Sequence, residues 1–276
     1  MSLAKTEMRN PLSMNLDKMS TEDMAKLVIT ANYEAVKAAE DAAASVAEAV
    51  DAIAEAFNRD NRLFYIGAGT SGRLGVIDAS ECPPTFGVGY DKVIGIIAGG
   101  KGRMFTAGEN AEDSYEMGCL AIEENGVRAG DVVVGISAAG NAAYVVGAMN
   151  KAKELGCVTV GISCNPDTKI LKCADIPIFT DTGAEVLTGS TRLKAGTAQK
   201  IVLNTLTTCA MAKTGKVYEN MMINLAPSNE KLKNRVIRIV KTILCCEEDE
   251  AVKALEENGW NIRKAVEAKK GENTDA

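Results

Sequence analysis

The chain has 276 residues, a formal net charge of −6, an aromatic content of 4% and no histidine. An acidic chain with few aromatic rings lacks the basic, stacking surface that nucleic-acid binding uses. Without histidine it also lacks Ser-His-Asp and Cys-His catalysis and histidine metal sites, so acid–base chemistry falls to aspartate, glutamate, lysine, tyrosine or cysteine.

The sequence also predicts the compartment and the state of the thiols. No apolar run is long enough to cross a bilayer, and residues 1–19 lack the charged-then-apolar order of a signal peptide. The eight cysteines are scattered, with no Cys-x-x-Cys pair to hold zinc. These features predict a cytoplasmic protein with reduced thiols, no metal, and neither nucleic-acid nor membrane partners.

Two helices are predicted within residues 1–58, which form an N-terminal segment. Ser20 is a candidate N-cap, with Asp23 three residues later and apolar residues at helical spacing beyond it. A second helix carries an apolar stripe that suits packing on the core and also suits packing against a second subunit. The stripe comprises Ala43, Val46, Ala47, Val50, Ile53, Ala54 and Phe57.

Strands and helices alternate through the next part of the chain, residues 59–227. Apolar runs such as Val132–Ile136 predict strands buried on both faces, hence a parallel sheet with helices on either side. The sequence therefore predicts a three-layer α/β fold. Strands are predicted at 62–67, 93–98, 131–137, 157–163 and 175–179, and helices near 72–80, 111–124, 142–155 and 190–214.

The turn after the first strand is the most informative segment. The apolar run Leu63–Ile66 leads into Gly-Ala-Gly-Thr-Ser-Gly at residues 67–72, and a helix is predicted to begin near Ser71. Backbone N–H groups and the positive end of a helix suit a phosphate group there. Thr70 and Ser71 add two hydroxyl donors. Ligands of parallel sheets bind beyond the carboxyl ends of the strands, which is where this turn lies.

Glu81 is the second feature of this segment. It is predicted to lie at the far end of the same short helix, just before Pro83 and Pro84, where a carboxylate opposes the helix dipole. Phosphate donors and an unfavourably placed acid, so close in sequence, indicate an active site.

Two other interpretations of residues 67–72 stay open at this point. The spacing Gly-x-Gly-x-x-Gly also occurs in dinucleotide-binding turns, but the next strand, Val93–Ala98, ends in Gly99–Gly100 without the acid that would bind ribose hydroxyls. A tight strand–helix turn without any ligand is the other interpretation.

Longer motifs give the chain a specific resemblance. The runs Gly67–Gly75 and Asp78–Pro84 resemble the signature of N-acetylmuramic acid 6-phosphate etherases, bacterial enzymes built on the sugar isomerase (SIS) fold. The similarity extends over nearly the whole chain. It includes Thr6–Pro11, Ser20–Thr21, Ala111–Asp113, Gly161–Pro166 and Glu185–Lys200.

The resemblance implies a reaction and its residues. It implies a carbon–oxygen lyase of cell-wall amino-sugar recycling that splits a lactyl ether, requires no cofactor and forms a homodimer. Glu81 would be the proton donor and Glu112 the second catalytic carboxylate, whereas Glu109 and Asp113 are interpreted as solvated or supporting acids. The expected substrate-binding residues are Gly69, Thr70, Ser71, Gly72, Ser137, Gly140, Ser163, Asn165 and Lys194, of which Lys194 equally suits a surface position.

One loop departs from the family pattern. Etherases usually have Ser-x-Ser-Gly-Arg-Thr-Pro-Tyr where this chain has Ser-Ala-Ala-Gly-Asn-Ala-Ala-Tyr at residues 137–144. Ala139 and Ala142 cannot donate hydroxyl hydrogen bonds to a phosphate. The departure favours an alternative function, a sugar-phosphate-binding regulator similar to the glucokinase regulatory protein. An isomerase is a further, weaker alternative.

Residues 228–276 differ in character from the rest. A basic amphipathic helix from Lys231 to Leu244 precedes two short helical patterns, which together resemble the small ubiquitin-associated-like unit at the C-terminus of etherases. Residues 270–276 are polar and are expected to be disordered.

Overall fold

A computed structural model describes residues 3–106, 111–225, 227 and 229–272 of the chain. The helices are α1 (Thr21–Asp41), α2 (Ala43–Asn58), α3 (Gly69–Phe86), α4 (Tyr115–Glu124), α5 (Ala143–Glu154), α6 (Lys169–Cys173), α7 (Lys194–Lys213), α8 (Glu230–Leu244), α9 (Glu248–Glu257) and α10 (Ile262–Glu272). The strands are β1 (Leu63–Gly67), β2 (Val93–Ile97), β3 (Val132–Ile136), β4 (Val158–Ser163), β5 (Ile176–Phe179), β6 (Val217–Tyr218) and β7 (Met221–Met222). Short 3-10 helices cover Lys5–Glu7, Pro11–Ser13, Leu16–Lys18 and Lys101–Met104.

The chain forms two compact units. The first contains Met1–Ser80 and Asp91–Ala210, and the second contains Glu81–Tyr90 and Met211–Ala276.

The first unit is built on a five-stranded sheet in the order β2-β1-β3-β4-β5. Every pairing is parallel, and every residue of β1 and β3 is buried. Continuous apolar strands of this kind need helices on both faces of the sheet. The predicted parallel α/β architecture is therefore confirmed.

The two faces of the sheet are covered by different helices. Phe64 and Val133 belong to the apolar cluster that α4 and α5 complete on one face. Tyr65 faces the other side, where a Cβ added to Gly75 of α3 would lie 2.8 Å from Tyr65 Cβ. Its hydroxyl also lies 3.4 Å from the Leu203 carbonyl of α7. Helices on both faces make the three predicted layers.

The apolar stripe of α2 is mostly buried within the first unit. Val46, Val50 and Ile53 are 5% exposed or less, and α2 packs against β3 and β5. Ala43 and Ala47 are the exposed members of the stripe. The core-packing interpretation is confirmed for the other five residues of the stripe.

Three helix boundaries differ from those predicted. α3 begins at Gly69 and continues through Pro83 and Pro84 to Phe86, because the Gly87 N–H still donates to the Pro83 carbonyl and closes the last turn. α4 begins only at Tyr115, because Ser114 caps it by accepting from the Met117 N–H. α7 begins at Lys194 after a stretch of turns.

The second unit is small and mainly helical. α8, α9 and α10 bury Val236, Leu255 and Ile262 in one apolar cluster, to which the β6–β7 hairpin contributes. α10 extends to Glu272, so the expectation of disorder is wrong for residues 270–272, and the remainder of that segment lies outside the described residues. Among the helices described, none combines the length and the apolar composition needed to span a membrane. All eight cysteines fall within the described residues, and none of them forms a disulfide there.

Candidate active site

The turn between β1 and α3 lies at the carboxyl edge of the sheet. Gly67 and Gly72 approach so closely that a Cβ on Gly72 would lie 2.6 Å from the Gly67 carbonyl oxygen. Gly69 is exposed and has a φ of +52°, a conformation that side chains rarely adopt. The first turn of an α-helix leaves N–H groups without intrahelical partners, which suits an anion.

The two hydroxyl side chains of this turn differ in their surroundings. Thr70 is half-buried, whereas Ser71 is only 8% exposed. The Ser71 hydroxyl lies 2.9 Å from Oε1 of Gln199 on α7, in hydrogen-bonding range. α7 also lies beside the turn, since a Cβ added to Gly196 of α7 would be at 3.6 Å, an ordinary van der Waals distance, from the Thr70 methyl group.

The loop between β3 and α5 is folded by its own serine. Ser137 Oγ accepts a 3.0 Å hydrogen bond from the Gly140 N–H. Gly140 has a φ of +74°, and a Cβ there would lie 2.3 Å from Ser163 Oγ. Ser137, Gly140 and Ser163 are therefore brought together. Ala139 and Asn141 are exposed in this loop.

The loop after β4 connects this edge to the N-terminal segment. Ser163 Oγ donates to the Asn165 carbonyl at 3.0 Å and accepts from its N–H at 3.1 Å. Asn165 Nδ2 donates to Thr6 Oγ1 at 2.9 Å and to the Ala138 carbonyl at 3.1 Å. Ser163, Asn165 and Thr6 are 3% exposed or less. Their polar atoms are thus engaged in shaping the rim.

The helix predicted over 111–124 would place Glu112 in its first turn, but Glu112 lies in a turn that precedes α4. A Cβ on Gly99, after β2, would be 3.3 Å from Ala111 Cβ. The Glu112 carbonyl accepts a 3.0 Å hydrogen bond from the Tyr144 N–H at the start of α5, after β3. Because β1 lies between β2 and β3 in the sheet, this turn spans the edge where the Gly69–Gly72 turn is found. The Glu112 side chain is exposed.

Glu81 is exposed on α3, and it is not at the helix end. Five residues of α3 follow it, so the predicted opposition to the helix dipole is wrong, because that effect is confined to the last turn. Glu81 belongs to the second unit and Glu112 to the first. Glu109 lies outside the described residues.

Lys194 is 1% exposed, so the surface alternative for this residue is wrong. Its ammonium group forms an ion pair with Glu34 of α1. The fully buried Glu185 carboxylate accepts 3.0 Å hydrogen bonds from the backbone N–H groups of Lys194 and Ala195. A carboxylate at that position stabilises the positive end of α7. Lys194 therefore fixes α7 against α1.

A second buried carboxylate joins α3 to α7 below the turn. Asp78 is 5% exposed and accepts hydrogen bonds from Tyr65 at 2.9 Å, Asn204 at 2.5 Å and Thr207 at 3.3 Å. Burial raises the pKa of the Asp78 carboxyl, and the three hydrogen bonds act in the opposite direction. This network fixes the angle at which α3 and α7 leave the sheet edge.

Thr6, Glu185 and Gln199 contribute to the site although sequence reasoning assigned them no role. All three lie within the motifs that carry the family resemblance, and this was the signal in the sequence that could have identified them. Their contacts are to residues 9 to 159 positions away, and spacing along the chain does not reveal such contacts. Within residues 3–106, 111–225, 227 and 229–272, no group of three or more cysteine, aspartate or glutamate side chains could hold a metal ion.

Comparison with known proteins assigns the family. The model of the glucokinase regulatory protein N-terminal SIS domain matches residues 45–153, and that of the SIS domain matches residues 103–209. Phosphoheptose isomerase from Neisseria gonorrhoeae has a similar fold, with a TM-score of 0.51 and 16% identity over 70% of this chain and 100% of that one.

Relatives with much higher identity extend over nearly the whole chain. N-acetylmuramic acid 6-phosphate etherase from Pasteurella multocida is 47% identical over 261 residues, covering 95% of this chain and 87% of the relative. The etherase from Symbiobacterium thermophilum is 48% identical over 263 residues, covering 95% of this chain and 87% of the relative. With its SIS domain and this degree of identity, the chain belongs to the N-acetylmuramic acid 6-phosphate etherase family.

Proposed function

We propose that the protein is a lyase that converts N-acetylmuramic acid 6-phosphate and water into N-acetylglucosamine 6-phosphate and D-lactate. The relatives that share 47–48% identity with it carry the etherase name. The observation that carries the proposal is the position of the Glu112 turn, which spans the sheet edge at the Gly69–Gly72 turn. A carboxylate and an anion-binding helix end at the same edge can then contact one small substrate.

The chemistry requires only acid–base groups. In the open-chain sugar the C1 aldehyde acidifies the C2 proton, and the lactyl oxygen on C3 is a leaving group β to the resulting carbanion. One carboxylate removes the C2 proton while a carboxylic acid protonates the departing oxygen, which forms the C2–C3 double bond and releases lactate. Water then adds its hydroxyl to C3 and a proton returns to C2, with the acid and base roles reversed. We assign these two roles to Glu112 and Glu81.

The substrate phosphate is assigned to the helix end formed by Gly69, Thr70, Ser71 and Gly72. Ser137 and Gly140 shape the neighbouring loop, and Ser163 and Asn165 hold that loop and the N-terminal segment in place. Their buried hydroxyl and amide groups already have protein partners, so they act by positioning. Lys194 acts in the same way through α7.

We further propose a homodimer that uses an exposed face of α1. Ile29, Tyr33 and Val36 are 68%, 75% and 52% exposed, and their spacing places them on one side of the helix. The opposite side of α1 buries the small residues Ala35, Ala38 and Ala39. Among soluble oligomers, closed two-fold dimers are the commonest arrangement.

Incubation of the purified protein with N-acetylmuramic acid 6-phosphate, followed by assay of D-lactate, tests the proposal directly. Stoichiometric D-lactate release that persists in EDTA is expected. A second candidate, a sugar-phosphate-binding regulator, is favoured by the match to the glucokinase regulatory protein domain and by Ala139 and Ala142 in the altered loop. Tight binding of N-acetylmuramic acid 6-phosphate without any D-lactate would identify that function instead.

A further inference from the structure

The contact between Ser71 and Gln199 leaves one buried amide nitrogen without a partner. Ser71 Oγ and Gln199 Oε1 are 2.9 Å apart, and the two residues are 8% and 1% exposed. In this arrangement the hydroxyl donates and the amide oxygen accepts. Gln199 Nε2 is buried and makes no hydrogen bond to any of the residues that the structure describes. An unpaired buried amide group is unfavourable and therefore calls for an explanation.

The direction of this hydrogen bond matters for anion binding. A serine hydroxyl has a single hydrogen, and a phosphate group offers only acceptors. While Ser71 donates to Gln199, it has no hydrogen left for a phosphate in the adjacent turn. Rotation of the amide by about 180° would bring Nε2 to the serine, so that Nε2 donates and the hydroxyl hydrogen becomes available. Water cannot easily substitute for either partner, because both side chains are buried.

We propose that Gln199 is a positioning residue that sets the direction of the Ser71 hydroxyl. Without a ligand its Oε1 accepts from Ser71. When an anion occupies the Gly69–Gly72 turn, the amide rotates, Nε2 donates to Ser71 Oγ, and the Ser71 hydroxyl donates to the anion. Gln199 thereby favours a phosphorylated sugar over its unphosphorylated counterpart. This inference rests on the proposed function, in which the phosphate of the substrate binds at this turn.

The chain offers a direct test because Gln199 is its only glutamine. Protein labelled with ¹⁵N at the glutamine side-chain amide therefore gives one NH₂ signal in an NMR spectrum. On titration with N-acetylglucosamine 6-phosphate, we expect one of the two amide proton signals to move downfield as Nε2 acquires an acceptor. Unphosphorylated N-acetylglucosamine should leave the signal in place, and so should the phosphorylated sugar with the Ser71→Ala variant.

A double-mutant cycle on affinity measures the same coupling. Ser71→Ala should weaken calorimetric binding of N-acetylglucosamine 6-phosphate by roughly 10-fold or more, since a hydrogen bond to a charged group is lost. Gln199→Met should weaken it about threefold or more in the parent protein and less than twofold in the Ser71→Ala background. Gln199→Glu keeps the shape but offers only acceptors when ionised, so it should weaken binding at least as much as Ser71→Ala.

The matched control is Thr205→Val on the same helix, because the half-buried Thr205 hydroxyl donates to the Ile201 carbonyl of α7 itself and lies outside both the turn and the Asp78 network. This variant should bind the phosphorylated sugar with the affinity of the parent. Equal effects of Gln199→Met in both backgrounds, or an unmoved amide signal in a protein that binds the phosphorylated sugar, would overturn the role of Gln199. A parent protein that binds no phosphorylated sugar would overturn the proposed function, and this inference with it.

Discussion

The carbonyl of Glu112 accepts a hydrogen bond from the Tyr144 N–H, and this bond fixes the Glu112 turn to the start of α5. Because the bond uses only backbone atoms, substitution of the Glu112 side chain leaves it intact. The exposed carboxylate is then free for chemistry, while its backbone is held at the carboxyl edge of the sheet. The role of Glu112 can therefore be tested without disturbing the turn.

Replacement of either proposed catalytic carboxylate should abolish most of the activity without unfolding the protein. We expect Glu81→Gln and Glu112→Gln each to lower kcat for D-lactate release by about 10²-fold or more, the usual effect of losing a general acid or base. Glu116→Gln, another exposed acid close to Glu112 in sequence, is the matched control and should retain full activity. Parent-like lactate release by a folded Glu81→Gln or Glu112→Gln protein would remove that residue from the mechanism.

The altered loop after β3 should affect substrate affinity more than chemistry. Ala139 is exposed in this loop, where etherases usually have a hydroxyl residue, so we expect Ala139→Ser together with Ala142→Thr to lower KM. The value of kcat should change little, because a remote phosphate contact binds ground and transition states alike. Ala129→Ser is the control, since Ala129 is exposed just before β3, at the opposite end of that strand.

An unchanged KM in that double variant would mean that the loop does not face the phosphate. If the parent released no D-lactate and the double variant did, the parent would be better interpreted as a binding protein derived from an etherase.

The Asp78 network should give stability a specific pH dependence. Burial raises the pKa of Asp78 above the ordinary value of 3.8, so its contribution to stability is full below that pH and is lost as pH rises through the folded-state pKa. Tyr65→Phe removes a donor that favours the ionised form. The free energy of unfolding should therefore fall by about 1.5–3 kcal/mol near pH 7 and by less near pH 4.

Urea unfolding of both proteins at several pH values measures this difference. Tyr90→Phe, at a tyrosine that is 83% exposed, is the control and should show no pH-dependent change. A Tyr65→Phe effect that is equal at pH 4 and pH 7 would show that the Tyr65 hydroxyl is not coupled to the charge on Asp78.

The exposed face of α1 should determine the oligomeric state. The double variant Ile29→Asp, Tyr33→Asp places two charges on the proposed interface, and burying an unpaired charge is strongly unfavourable. We expect light scattering to give a dimer mass for the parent and a monomer mass for this variant at micromolar concentration. Tyr90→Asp, at another exposed tyrosine, should stay dimeric. A monomeric parent would contradict the dimer, and a dimeric double variant would place the interface elsewhere.

The architecture and the family could both be predicted from the amino-acid sequence. Continuous apolar strands such as Val132–Ile136 predicted a sheet covered on both faces, because successive side chains of a strand point to opposite faces and are all buried only when both faces are covered. The Ser20 cap located the start of α1, since its side chain accepts from the nearby Asp23 N–H. Long local motifs identified the family because a run of consecutive residues can be recognised without knowing which distant residues it contacts.

Which polar groups remain available at the site depends on contacts between distant parts of the chain. Ser163 and Asn165 suit ligand contacts by their position in the chain, yet distant partners such as Thr6 occupy their polar atoms. Lys194 suited a surface position by its place in the sequence, but its side chain is buried and forms an ion pair with Glu34 of α1. The motif that contains Gln199 did not indicate a role for it, yet its amide oxygen accepts a hydrogen bond from Ser71, which is 128 residues away in the sequence. Such contacts depend on how helices pack around the sheet, and local sequence spacing does not determine that packing.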